Sequence, residues 1–192
     1  MRNKIYPVLL VPYRLMRGIS LVELLLNVTV GSVLTALTIP AMTGMLNAQK
    51  VTSTTNSLFF GLNLARNEAI KRNARAVLCK SANGLSCALA GGWEQGWILF
   101  HDPNNNAVLD EGEVVVQQQG AAAAGIRFRG NLPVTNYVSF TSTGSARLTS
   151  GAFQAGTFTL CMEATESANV RQIVLAGTGR VRTQKGNAND CL

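Results

Sequence analysis

Apolar residues run almost unbroken from Ile19 to Leu46 (ISLVELLLNVTVGSVLTALTIPAMTGML), with Glu23 as the single charge. A bilayer core needs about 20 helical residues, and Ile19 to Ile39 alone would rise roughly 31 Å at 1.5 Å per residue. The run therefore predicts a membrane-spanning helix, with Pro40 near the far interface, where a lost intrahelical hydrogen bond suits a bend. From Ala48 to about Arg75 the pattern becomes helical and amphipathic. Leu58, Leu62, Ala65 and Ala69 share one face, while Asn63, Arg66, Asn67 and Lys71 fall largely elsewhere. Short β-rich runs separated by turn residues follow: RAVLCK from Arg75, GWILFH from Gly96, EVVVQQ from Glu113, IRFRG from Ile126, YVSFT from Tyr137, TFTLC from Thr157 and VRQIVLA from Val170. One long helix followed by strands predicts an α+β fold, with antiparallel sheet packed against the helix.

Charge sharpens this picture at the N-terminus. Of the 17 Lys and Arg residues, Arg2, Lys4, Arg14 and Arg17 precede the apolar run; without them 13 bases face 10 acids, and the balance falls from +7 to +3. Basic residues ahead of a membrane helix predict that the leader stays in the cytoplasm and the remainder lies outside. An ordinary signal peptide is the competing reading, but its apolar core would be only about 7 to 15 residues long. Glu23 is the anomaly, because a carboxylate in hydrocarbon costs on the order of 2.5 to 3.5 kcal/mol. It calls for a cationic partner, and no base lies within a turn or two on the apolar side.

The junction Arg17-Gly18 followed by Ile19-Ser20-Leu21-Val22-Glu23-Leu24-Leu25 resembles the class III signal of type IV prepilins and pseudopilins. The resemblance implies cleavage by prepilin peptidase after Gly18, N-methylation at Ile19, and pairing of Glu23 with the terminal amine of a neighbouring subunit. Two features depart from the pattern: Ile19 stands where the family usually has Phe, and the leader is long, with Met16 as an alternative start. The boundaries that follow are residues 1–18 as leader, 19–46 as transmembrane and assembly helix, 47–75 as the periplasmic half of that helix, and 76–192 as a β-rich head.

Four cysteines, Cys79, Cys87, Cys161 and Cys191, form an even set without the paired knuckles of a zinc site, which favours an oxidising compartment. Three connectivities are possible. Cys79 with Cys87 and Cys161 with Cys191 is favoured, because a short Ser-, Asn- and Gly-rich loop joins the first two; buried free thiols are the alternative.

A second resemblance is to the subgroup that contains the GspH pseudopilins of type II secretion and the FimT minor pilins. It rests on Leu64-Ala65-Arg66-Asn67-Glu68-Ala69-Ile70-Lys71-Arg72-Asn73, on Gly96-Trp97-Ile98-Leu99-Phe100 with the Asp102/Asn104/Asn106 loop, and on Gly179-Arg180-Val181-Arg182. Strand alternation would put Arg180 and Arg182 on one face, each able to take a phosphate in bidentate fashion. In FimT-like proteins such a motif is associated with DNA binding for natural transformation, so the resemblance implies Arg180 and Arg182 as contacts to double-stranded DNA. Lys185, in a Gly- and Asn-rich tail, is a third candidate. From Val114 onward seven bases face three acids, so a polyanion should prefer this half. Arg127, Arg129, Arg147 and Arg171 extend the patch only if their faces agree. A solvated edge that blocks sheet-to-sheet pairing is the structural alternative for all of them.

Other candidates yield to simpler readings. Asp102, Asn104, Asn106, Asp110 and Glu113 fit calcium-loop spacing, but Ala107 stands where such a loop wants Gly, and the flanking runs are strands; a hairpin connection is favoured and no metal is expected. His101, the one histidine, reads as a surface turn residue. Trp93 and Trp97 could stack on bases, yet Trp97 reads as core. No cofactor and no catalytic constellation is indicated. The sequence thus predicts a non-enzymatic minor pilin of the inner membrane and then of the pilus or pseudopilus, with sibling subunits, prepilin peptidase and DNA as partners. The alternative is a GspH-like pseudopilin or structural minor pilin without DNA affinity.

Overall fold

The computed structural model describes residues 18–162 and 169–191, with the side chains of 37–41 excepted. The leader ahead of Gly18, together with Glu163 and Glu166, lies outside the described residues. The chain divides into two compact units, 1–43 and 44–192.

Helix α1 spans Leu21–Arg72. Glu23 in its first turn and Lys71 and Arg72 in its last oppose the helix dipole. It ends where Asn73 turns left-handed at φ 50°, and the Ala74 N–H bonds back to Ala69 O at 3.2 Å; Asn is among the few residues that tolerate such a cap. Pro40 falls inside α1. In the first unit the apolar side chains of Ile19, Leu21, Val22, Leu24, Leu25, Leu26, Val28, Val30, Val33 and Leu34 are all exposed. Among the described residues, no helix is long and apolar enough to cross a membrane.

In the second unit α1 buries Val51, Leu58, Leu62, Ala65 and Ala69 in one core, the face that periodicity predicts. Gly61 on this face lets Trp97 lie across the helix, since a Cβ there would sit 2.6 Å from the indole. The described residues form eight strands, β1 (Ala76–Lys80), β2 (Trp97–His101), β3 (Val115–Gln119), β4 (Ile126–Gly130), β5 (Tyr137–Phe140), β6 (Gly156–Met162), β7 (Arg171–Leu175) and β8 (Val181–Lys185). They make two antiparallel sheets, ordered β3-β2-β1-β5 and β4-β6-β7-β8.

The central strands of the first sheet, β1 and β2, are covered on both faces, while the edge strand β3 stays largely exposed. Leu78, Trp97 and Leu99 join the helix core, while Val77, Cys79, Ile98 and Phe100 form a second cluster with Ala107. The second sheet alternates: Phe128, Phe158, Leu160, Ile173 and Leu175 are buried in the helix core, with Trp93 edge-on to Phe158 at 5.2 Å. Strand β3 begins two residues later than the segment from Glu113 suggests, and the ladder shifts register opposite Leu99 and Phe100, as a bulge does.

His101 corrects an expectation. It is not a surface turn residue but the buried last residue of β2. It shares the face of Trp97 and Leu99, four and two residues back, and so points to α1, where Nε2 lies 3.3 Å from Glu68 Oε2. Burial lowers its pKa below the ordinary histidine range, helped by Arg72 and opposed by Glu68.

Candidate functional site

Strands β7 and β8 are joined by the tight turn 176–180, in which Gly179 donates to Ala176 O at 2.8 Å and Ala176 donates to Arg180 O at 2.9 Å. Gly179 has φ +81° and is packed directly on Gly144 O, where any side chain would collide. Glycine is therefore dictated twice, by conformation and by space. Arg180 follows the turn and Arg182 lies two residues on in β8, opposite Val174. Both are exposed, and they line one shallow recess with Val174 and Ala176. Among the described residues neither guanidinium has a hydrogen-bond or ion-pair partner.

Lys185 does not join them. It lies in β8 rather than in a flexible tail and pairs with Arg171. Successive strand side chains alternate between faces, so Lys185 shares the side of Val181, Ile173 and Leu175, opposite to Arg180 and Arg182. Arg171 goes with it.

The motif near the C-terminus is braced by the helix motif. Arg66 donates Nε–H to Gly144 O at 3.1 Å, the same carbonyl that Gly179 covers, so two blocks of sequence more than 100 residues apart meet at one point. The neighbouring segment adds a ring. Ala146 donates to Gly177 O at 3.0 Å, and Phe153 packs over Gly177, where a Cβ would lie 3.1 Å from its ring. Arg147 places its guanidinium 4.2 Å from the Phe153 ring centroid, held there by a 2.7 Å bond from Nη1 to Gly151 O. Phe153 is nevertheless 64% exposed. The segments 141–156 and 171–185 carry five bases and no acid.

The open face of the second sheet continues away from this corner. Register places Arg127 and Arg129 of β4, Thr157 and Thr159 of β6, Gln172 and Val174 of β7, and Arg182 and Gln184 of β8 on it. Arg129 is exposed. Arg127 instead donates to Cys191 O at 3.2 Å, and Gln172 donates to Asp190 at 3.0 Å, so the C-terminal segment covers one end of the face. The disulfide Cys161–Cys191 pins that segment, and Cys79–Cys87 closes the loop after β1.

The remaining candidates are structural where they are described. Asp102 accepts from the N–H groups of Asn106 and Ala107 at 3.1 and 2.9 Å, and Asp110 accepts from Asn104 and Asn106 at 2.7 and 2.6 Å. The latter bonds lower the Asp110 pKa, whereas burial raises that of Glu113. The loop is a self-bonded connection between β2 and β3, and no group of three or more His, Cys, Asp or Glu among the described residues could hold a metal. Trp93 and Trp97 are both buried, with the Trp93 indole donating to Val134 O at 3.1 Å, and neither is open to a base. Gly18 and Ile19 precede α1, and Glu23 has no side-chain partner among the described residues.

Residues 54–179 match the family model described as "Type II transport protein GspH". The crystal structure of the type IV minor pilin FimU of Pseudomonas aeruginosa strain PAO1 superimposes with a TM-score of 0.52 and 18% identity, covering 73% of this chain and 91% of that one. A second crystal form of FimU gives 0.50 and 16%, covering 72% and 94%. The minor pseudopilin EpsH of the Vibrio cholerae type 2 secretion system gives 0.49 and 12%, covering 71% and 97%. No curated protein sequence matches significantly. The FimU likeness shows a shared fold: a long helix on antiparallel sheets.

Proposed function

The chain belongs to the GspH family of type II transport proteins, and from this premise we propose that it is a minor pilin that binds DNA without sequence preference for uptake in natural transformation. A minor pilin or pseudopilin assembles with sibling subunits, and this much follows from the family. The DNA reading rests on one observation: Arg180 and Arg182 stand exposed and unpaired among the described residues, on one side of a hairpin whose turn is fixed by Gly179. Planar guanidinium forks suit phosphate oxygens, which carry affinity and position but no sequence information.

The N-terminal half of the proposal is assembly. Prepilin peptidase cleaves after Gly18, Ile19 is methylated, and residues 19–46 hold the protein in the inner membrane with its head in the periplasm until Glu23 pairs with a neighbour's terminal amine. Ten exposed apolar side chains between Ile19 and Leu34 support this reading, since they need lipid or sibling helices to cover them. A Glu23→Ala chain that entered filaments normally would remove the pairing from the proposal.

The second reading is a secretion pseudopilin or structural pilin without DNA affinity, and the transport description of the family favours it. One titration separates the two. The full chain in detergent should bind labelled double-stranded DNA with an affinity that falls with salt. Arg180→Ala/Arg182→Ala should weaken it and flatten the slope of log K against log salt by about 1.8. No binding at low salt by folded protein favours the secretion reading.

A further inference from the structure

We propose that Phe153 and Arg147 form a stacking platform for an unpaired base of the DNA strand whose phosphates Arg180 and Arg182 hold; this inference rests on the DNA-binding reading above. An exposed phenylalanine is ordinary when isolated, but Phe153 is fixed. It bridges to Arg147 in a short antiparallel contact, and it lies over Gly177, a residue without the Cβ that would displace it. The Arg147 guanidinium covers the ring at 4.2 Å, well inside cation–π range. Arg147 is itself tied down through Gly151 O, and its own carbonyl accepts from Arg75 and Ser139.

The platform adjoins the phosphate site. The Ala146–Gly177 and Ala176–Arg180 backbone bonds join the strip that carries Arg147 and Phe153 to the turn that carries Arg180. A ring and a guanidinium stacked together beside two free arginines, in segments without a carboxylate, match the chemistry of a single strand. The bases stack on π surfaces while the backbone follows the positive charge. A sibling subunit fits less well, because the exposed apolar surface here is one ring flanked by cations rather than a continuous apolar patch.

A paired base is already stacked inside a duplex, so the platform should act on single strands and frayed ends. Phe153→Ala in the full chain in detergent should weaken binding of labelled oligo-dT about tenfold. It should change binding of a blunt duplex less than twofold, with the melting temperature retained as a check on folding. Phe153→Trp should preserve oligo-dT binding, and its added emission should be quenched by oligo-dT but not by the duplex. Equal loss on both DNA forms, or no loss on either, overturns the platform. If the duplex binds and depends on Arg180 and Arg182 while Phe153→Ala spares oligo-dT, the platform alone fails. If the unaltered chain binds neither form, the DNA reading fails and the platform with it.

Discussion

The two sheets use the same antiparallel pairing, yet the centre of one is closed on both faces and the other is open on one. In the first, β1 and β2 are buried at every position, with α1 on one side and loops on the other. The loop after β1 is lashed down by the Cys79–Cys87 disulfide and by Lys80, whose buried Nζ donates to Leu89 O and Gly91 O at 3.0 and 2.8 Å. Burial pushes the Lys80 pKa down, and Glu94 partly offsets this. In the second sheet, β4, β7 and the first part of β6 bury alternate residues and leave a face of Thr, Gln and Arg, with the end at Cys161 covered. Burial dictates every side chain of β1 and β2, so little is left there for recognition. The second sheet is anchored from one side and free to present chemistry on the other.

The largest loss is expected at Trp97, the side chain that ties the first sheet to α1 over Gly61. Trp97→Ala should cost about 3 to 5 kcal/mol in denaturant unfolding. A cost below about 1 kcal/mol would mean that the first sheet is not the anchor. The disulfides come next and run the other way. Cys161–Cys191 spans 30 residues and Cys79–Cys87 only 8. Loop-closure entropy then assigns about 3.6 and 2.5 kcal/mol to them. Paired Cys→Ala variants should rank in that order, which would show that the open sheet depends more on its crosslink than the closed one does.

What the sequence made legible follows the same division. Continuous apolar runs such as GWILFH give β1 and β2 directly, and the Leu58, Leu62, Ala65 and Ala69 stripe gives the helix face, because burial leaves its mark on composition. Both disulfide pairs agree with the favoured connectivity. His101 was misread because Asp102-Pro103-Asn104 makes its surroundings look like a turn, although parity from Trp97 and Leu99 already assigned it to the core side. Lys185 was grouped with Arg180 and Arg182 by nearness in sequence, although odd and even positions of a strand face opposite ways. Phe153 was missed altogether. Its partner Gly177 lies 24 residues away, and nothing local marks an exposed ring as fixed.

Acid should separate the sheets further. His101 has a lowered pKa in the folded protein, so above about pH 6.5, the usual unfolded value, it is neutral in both states and costs nothing. As pH falls from there toward the lower folded pKa, the unfolded chain binds the proton first and stability declines. Unfolding free energy should therefore drop below about pH 6.5, and His101→Phe should flatten that part of the profile. His101 lies in the core against α1 and outside the Arg180/Arg182 recess, so DNA binding there should stay level while folded protein remains. A parallel fall in affinity above the unfolding pH would couple the site to His101 and undo the separation.

The smallest effect tests the open sheet alone. Lys185 and Arg182 are three residues apart in one strand and carry the same charge, so an account based on net charge assigns them similar roles in binding a polyanion. Strand parity assigns them different ones: Arg182 shares a recess with Arg180, whereas Lys185 sits beside Arg171 on the opposite face. At a distance the long-range attraction of either cation is screened within about 8 Å at physiological ionic strength. Lys185→Ala should therefore change duplex affinity less than twofold and leave the salt slope nearly unchanged, while Arg182→Ala should lower the slope by about 0.9. Equal slopes for the two variants would mean that DNA responds to the charge of the whole strand, and the recess at the β7–β8 hairpin would lose its claim as the site.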